Sequence, residues 1–334
     1  MILRPKSSRR LPAQPLALAS AASALPVPGW LRRAISDSQG RAGQGFDDVA
    51  LISGAAIGAL DAVVRRQERW AGAWRQRLAL AAATVTARQG GRIEDEAALR
   101  DAVLLTRPGD DVGPAGRMLL AWRRLAARPA AELLTEQNLA AALEEFGFFV
   151  RDGEALGDLA DELRQIAATD GSVAALADAC AAAERLGLPR AAALWIADAL
   201  LAQRLGWQHA VPLLGGESAG AKRYGCTRLL PGTPSTPDQV SMLLGAQARA
   251  VLRAIDLSTE LGRRADRLLA VAPKLRAKAS DAVVERLLSE DAIVASEKIA
   301  GMSDRGLRRL FDRLVEFSAV RELSGRPTFR VYGL

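Results

Sequence analysis

The sequence predicts a mainly α-helical protein: a multi-helix bundle followed by a small C-terminal winged helix-turn-helix domain with a β-hairpin wing. Three features point there. Across 334 residues, 49% are apolar and only 4% aromatic. That composition builds a sizeable core from helices packed closely through small side chains, in preference to a sandwich or barrel. Apolar residues recur at helical spacing in segments cut by Gly and Pro. The last 60 or so residues change pattern, to three short helices and two β-like runs.

In chain order, MILRPKSSRRLPAQPLALASAASALPVPG (1–29) carries four basic residues and no acid. Pro12 and Pro15 break an otherwise signal-like run, so a flexible basic tail is expected instead of an export signal. FDDVALISGAAIGALDAVVRR (46–66) reads as a buried helix capped by Asp47 or Asp48. Its Gly54 and Gly58, four apart, would let another backbone approach. Asp61 interrupts that stretch, which is too short to span a bilayer, and no membrane partner is expected. Helices follow at 70–89 and 94–106, then a turn from Gly109 to Gly116 with Pro114 at a first helical position. Helical patterns resume at 133–146 and 154–168. A helical hairpin covers 173–207, turned at Leu186-Gly187-Leu188-Pro189. No fixed period supports a solenoid. Residues 212–238 form the longest loop-like stretch, and a long helix runs from Thr236 or Asp238 to Pro273. These breaks divide the chain into a tail (1–29), an α-helical domain (30–272) and a winged helix (273–334).

Several kinds of chemistry are excluded or weakly supported. A single histidine, His209, removes Ser-His-Asp triads, Cys-His proteases and most zinc hydrolases. Cys180 and Cys226 lie 46 positions apart without a metal or redox spacing, which fits a reducing cytoplasm. The Asp110-Asp111 pair lacks a third ligand and reads as a helix cap. Gly215-Gly216 with Lys222 and Arg223 lacks the order of a phosphate-binding loop. Neither an enzyme activity nor a cofactor is expected.

Charge is uneven. The formal net charge is +7, and residues 263–334 hold 15 basic against 10 acidic side chains, while residues 30–262 are slightly acidic. A basic terminal module on a near-neutral body selects an anionic partner, DNA first.

Within that module, 279–288 and 295–300 are expected as helices, and Ser303 caps a third, DRGLRRLFDRLVEF. At 100° per residue, Leu307, Leu310, Phe311 and Leu314 form its buried stripe. Arg305 and Arg309 point outward and Arg308 to one side, at the end that a recognition helix presents to bases. Ser303 and free backbone N–H groups there suit a phosphate. The competing reading laces that face with Arg308/Asp312 and Arg313/Glu316 pairs. In the ending RELSGRPTFRVYGL, a turn at Ser324–Pro327 would place Arg321 opposite Arg330 on the outward face and Val320 opposite Val331. Arg326 would stand at the wing tip, with Phe329 and Val331 closing the core. Like charges opposite each other favour an anion above them. The expected DNA contacts are therefore Ser303, Arg305, Arg308, Arg309, Arg321, Arg326 and Arg330. A structural adaptor that binds a protein partner, or a homodimer, is the alternative.

The segments GRIEDEAALRDAVLL, GDDVGPAGRMLLAWRRLA, LWIADALLAQRLGW and SDRGLRRLFDRLVEFSAVRELSGRPTFRVYGL resemble the alphaproteobacterial domain-of-unknown-function family numbered 1403, from about residue 30 to the end. The ending is also similar to the winged helix appended to Fic-type proteins and their plasmid-borne relatives. That second resemblance implies a shared DNA-binding appendage and a plasmid-associated or regulatory context. It carries over no AMP transfer, because the histidine-containing HxFxxGNG loop is absent and His209 sits in GWQHAVPLL.

Overall fold

The computed structural model describes residues 27–37, 45–107, 109–150, 153–168, 171–217, 237–275, 277, 279–326 and 328–334. The expected tail, apart from residues 27–29, lies outside them, as do Lys222, Arg223 and Cys226.

The helices are α1 (Gly29–Asp37), α2 (Phe46–Val64), α3 (Ala71–Gln89), α4 (Glu96–Leu104), α5 (Gly113–Ala127), α6 (Ala130–Leu133), α7 (Glu136–Glu145), α8 (Gly153–Ala168), α9 (Ser172–Arg185), α10 (Arg190–Arg204), α11 (Pro237–Val271), α12 (Ser280–Ser289) and α13 (Asp304–Glu316). Strands β1 (Ile293–Val294), β2 (Arg321–Glu322) and β3 (Val331–Gly333) form one small antiparallel sheet in the order β1-β3-β2. The mainly α expectation holds. Two short helices, α1 and α6, escaped the sequence reading.

The 35-residue α11 is the spine, about 50 Å long at 1.5 Å per residue. Leu244, Ala248, Val251, Ile255, Ser258, Gly262 and Ala265 are buried along it at alternating four- and three-residue steps, the spacing of a narrow packing seam. Small residues on that seam admit two tryptophans. Trp70 packs over Gly262, where a Cβ would lie 2.9 Å from the ring. Trp74 donates its indole N–H to the Ala254 carbonyl at 2.9 Å.

Gly54 and Gly58 do not serve the expected role on α2. Nothing lies within 4 Å of a Cβ built at either, and both are exposed. The face of α2 that packs on α11 is the other one, where Ser53 donates to Gln247 at 3.1 Å. Asp47 and Asp48 sit in the first turn of α2, while the N-cap is Gly45. They favour the helix dipole without capping it.

A second buried anchor joins α5, α10 and the turn at Leu214–Gly216. The fully buried Trp122 ring lies against Gly215 and leaves no room for a Cβ there. Asp198 on α10, wholly buried, accepts from the backbone N–H of Leu213 at 2.8 Å and of Leu214 at 3.1 Å. Burial pushes the Asp198 carboxyl up to about 8, against the pull of the backbone N–H groups that favour the anion. The folded protein thus keeps a proton that the unfolded chain releases near pH 4. Stability from this group is complete below about pH 4 and is lost as pH rises towards 8. The thermal midpoint is expected to fall between pH 5 and 8, and Asp198→Asn to flatten that fall. An unchanged slope in the variant would assign it to another group.

The C-terminal elements differ from expectation in three ways. Residues 295–300 form no helix. The β-branched Ile293 and Val294 instead pair with Tyr332 and Val331, and the Ala295 N–H donates to the Arg330 carbonyl at 2.9 Å. The sheet therefore has a third strand, and β3 is its central one.

The hairpin register is the second difference. Arg321 stands opposite Gly333, and Glu322 opposite Tyr332, so Arg321 and Arg330 are not paired; the expected turn at Ser324–Pro327 falls partly outside the described residues. The physical reason is burial. Val331, Tyr332 and Leu334 are all buried, and Tyr332 stacks on Phe311 at 4.3 Å with rings 5° from parallel. That stack, together with β1, sets the register. The third difference is Phe329, which lies 64% exposed and closes no core.

The apolar core runs without a break from Leu31 on α1 to Leu334. The junction with the body is charged. Asp291, between α12 and β1, has no exposed side-chain surface and receives hydrogen bonds from Arg77 of α3 and Arg100 of α4. The two guanidiniums hold its carboxyl below the usual carboxylate range, although burial works the other way. Arg264 of α11 donates to the Leu334 carbonyl at 2.9 Å.

Candidate nucleic-acid interface

The interface is built on α13. Ser303 is its N-cap, and its hydroxyl accepts from the Gly306 N–H at 3.2 Å, which satisfies one of the free donors of the first turn. Leu307, Leu310, Phe311 and Leu314 are buried, as the periodicity required. The opposite surface is therefore fixed in space, and Arg305, Arg308 and Arg309 are all exposed on it. No ion pair or side-chain hydrogen bond among the described residues engages these three arginines. Neither of the Arg308/Asp312 and Arg313/Glu316 pairs of the competing reading forms among the described residues. Arg313 instead lies 5.5 Å over the Phe317 ring.

The other three arginines go to different places. Arg330 lies 3.8 Å from Glu322. Arg326 reaches back to the body and pairs with Asp101 of α4 at 2.7 Å. Arg321, exposed on β2, lies near Arg264. Burial, with Arg321 and Arg77 adding like charge, lowers the pKa of Arg264. The structure thus gathers Ser303, Arg305, Arg308 and Arg309 on one helix end, while Arg326 and Arg330 pair with Asp101 and Glu322 and Arg321 lies on β2.

Asp111 accepts from the Gly113 N–H at 2.9 Å in the turn before α5, whose N-cap is Val112 without a side-chain cap, so the expected capping role is not met. Among the described residues no group of three or more His, Cys, Asp or Glu side chains could hold a metal ion. His209 forms an isolated bridge with Pro129, and burial and then Arg75 lower its pKa. Gly215 and Gly216 belong to the turn against Trp122. No helix among the described residues is long and apolar enough to cross a membrane.

Sequence reasoning missed Asp291, Asp101 and Phe329. Asp291 reads as a turn residue because its partners lie 214 and 191 positions away. Asp101 gains a role only through Arg326, 225 positions later in the chain.

Compared with known proteins, the chain matches no curated protein and no solved structure. One family model matches residues 17–334, nearly the whole length. The chain therefore belongs to the family described as "Protein of unknown function (DUF1403)".

Proposed function

We propose that this chain is a non-enzymatic DNA-binding protein, a transcriptional or plasmid-associated regulator. In this reading residues 273–334 act as a winged helix whose reading element is α13. The helical body, 30–272, serves oligomerisation or partner docking. The observation that carries the reading is the outer face of α13: three exposed arginines at the helix N-terminal end without a carboxylate partner among the described residues. Most other arginines of known placement are spent on ion pairs or carbonyls, whereas these present donors outward. A helix N-terminus lined with guanidiniums matches phosphate and base edges at once. The element order α12-β1-α13-β2-β3 keeps a helix followed by a β-hairpin but lacks the second helix of the expected helix-turn-helix, so the winged-helix reading leans on the resemblance of the ending to appended winged helices.

The test is binding of a random-sequence pool of short duplexes by the full chain, followed by selection of bound sequences. If six phosphates are contacted, log K against log salt has a slope near −5. Replacing Arg305, Arg308 and Arg309 together by alanine is expected to abolish measurable binding at moderate salt, with the thermal midpoint unchanged because all three are exposed. Unaltered affinity in that variant would end the proposal.

A second reading, a protein-binding adaptor, is favoured by one observation. Val315 and Phe317 are exposed apolar side chains at the C-terminal end of α13, beside Glu316. A salt-insensitive protein complex lost on Phe317→Ser would support it.

A further inference from the structure

Among the described residues, four non-glycine residues have positive φ: Gln67, Ala279, Ser318 and Phe329. The first three are small or polar. Phe329, at φ 55°, is the one bulky side chain among them, in a conformation that Gly or Asn adopts at lower cost. Strain of that kind persists in a core when burial of the ring offsets it. Here the ring is 64% exposed, so the fold gains little from it.

The loop nevertheless holds Phe329 in place. Val331 N–H donates to the Ser324 hydroxyl at 3.2 Å across its neck. Gly325, at φ 59°, turns the other arm. Below it, the Phe311–Tyr332 stack roots β3. Arg326 and Arg330 flank the ring in sequence, each about half exposed, Arg326 paired with the largely buried Asp101 and Arg330 with the partly buried Glu322. With each guanidinium about half exposed, either arginine can exchange its carboxylate for a phosphate.

We propose that Phe329 is an apolar wedge that inserts at a base step of duplex DNA, with Arg326 and Arg330 on the flanking phosphates. An exposed apolar ring on a loop that carries arginines on either side in sequence matches the wedges that unstack a base step. The proposal rests on the DNA reading above. It adds deformation of the duplex to the contacts made by α13.

The experiment uses the full chain and a pool of duplexes of about 30 base pairs carrying 2-aminopurine in place of some adenines. Wild type is expected to bind and to raise the fluorescence, because the base unstacks. Phe329→Leu keeps an apolar wedge and should retain most of both signals. Phe329→Asn suits the backbone conformation, so it should be at least as thermally stable as wild type. It should nevertheless lose the fluorescence rise and bind about 10- to 100-fold more weakly. Equal affinity and equal fluorescence in the Asn variant would overturn the wedge and leave the DNA reading standing. Failure of folded wild type to bind the pool would overturn both.

Discussion

Asp291→Ala is expected to destabilise the protein by about 3–5 kcal/mol, the largest effect of any single substitution considered. The carboxylate has no exposed surface and is enclosed by Arg77 and Arg100. Its removal leaves two guanidiniums facing each other out of water. Arg123 nearby adds a third positive charge, its pKa already lowered by burial. The loss should appear first where the C-terminal elements meet α3 and α4, as faster amide exchange in α12 and the sheet. Replacing Asp291, Arg77 and Arg100 together by apolar residues of similar volume should restore much of the stability, since the cost lies in the unpaired charges. The pH dependence has a defined sign. Because the folded pKa is depressed, the stability from Asp291 is present above the ordinary carboxylate range and is lost as pH falls below about 4. Urea midpoints for wild type and Asp291→Ala should therefore converge in acid. Midpoints that stay equally far apart at pH 3 and pH 7 would show that the ion pairs are not the source.

Deleting residues 331–334 is expected to unfold the C-terminal elements outright while leaving the helical body intact. The deletion removes the central strand of the sheet and three buried side chains, Val331, Tyr332 and Leu334. At about 1.5–3 kcal/mol for each buried apolar side chain, the loss is about 5 kcal/mol or more, before the strand hydrogen bonds are counted. Phe311 also loses its stacking partner, and α13 then has nothing to hold its arginine face outward. Far-ultraviolet ellipticity should fall only slightly, whereas amide protection should vanish in α12 and α13 and survive in α3 and α11. Duplex binding should be lost with it. Persistent protection of α13 would show that the sheet does not support that helix.

Much of the helical body was legible in the sequence, because an amphipathic helix is specified by residues three and four apart. Gly and Pro mark where such runs end. The long α11 was expected to run from Thr236 or Asp238 to Pro273 and spans Pro237–Val271. The buried stripe of α13 and its outward arginines followed from the same local rule. The wing did not, because strand register is a relation between distant residues. The local turn signal in Ser324-Gly325-Arg326-Pro327 pointed to one register, and the Phe311–Tyr332 stack with β1 imposed another. The short β1 was hidden for the same reason: two residues carry no period, and their partners lie 37 or more positions away.

The candidate site divides in the same way. By itself the sequence determined that residues 263–334 are basic, that α13 turns its arginines away from an apolar stripe, and that the chain carries a single histidine. Those properties depend on composition and short-range spacing alone. Only the tertiary structure decided which arginines remain unpaired. Arg326 is drawn to Asp101, Arg321 lies near Arg264, and Arg305, Arg308 and Arg309 stay exposed. Whether a charge is free depends on which carboxylates the fold brings within a few ångströms, and those carboxylates lie on helices far away in the sequence.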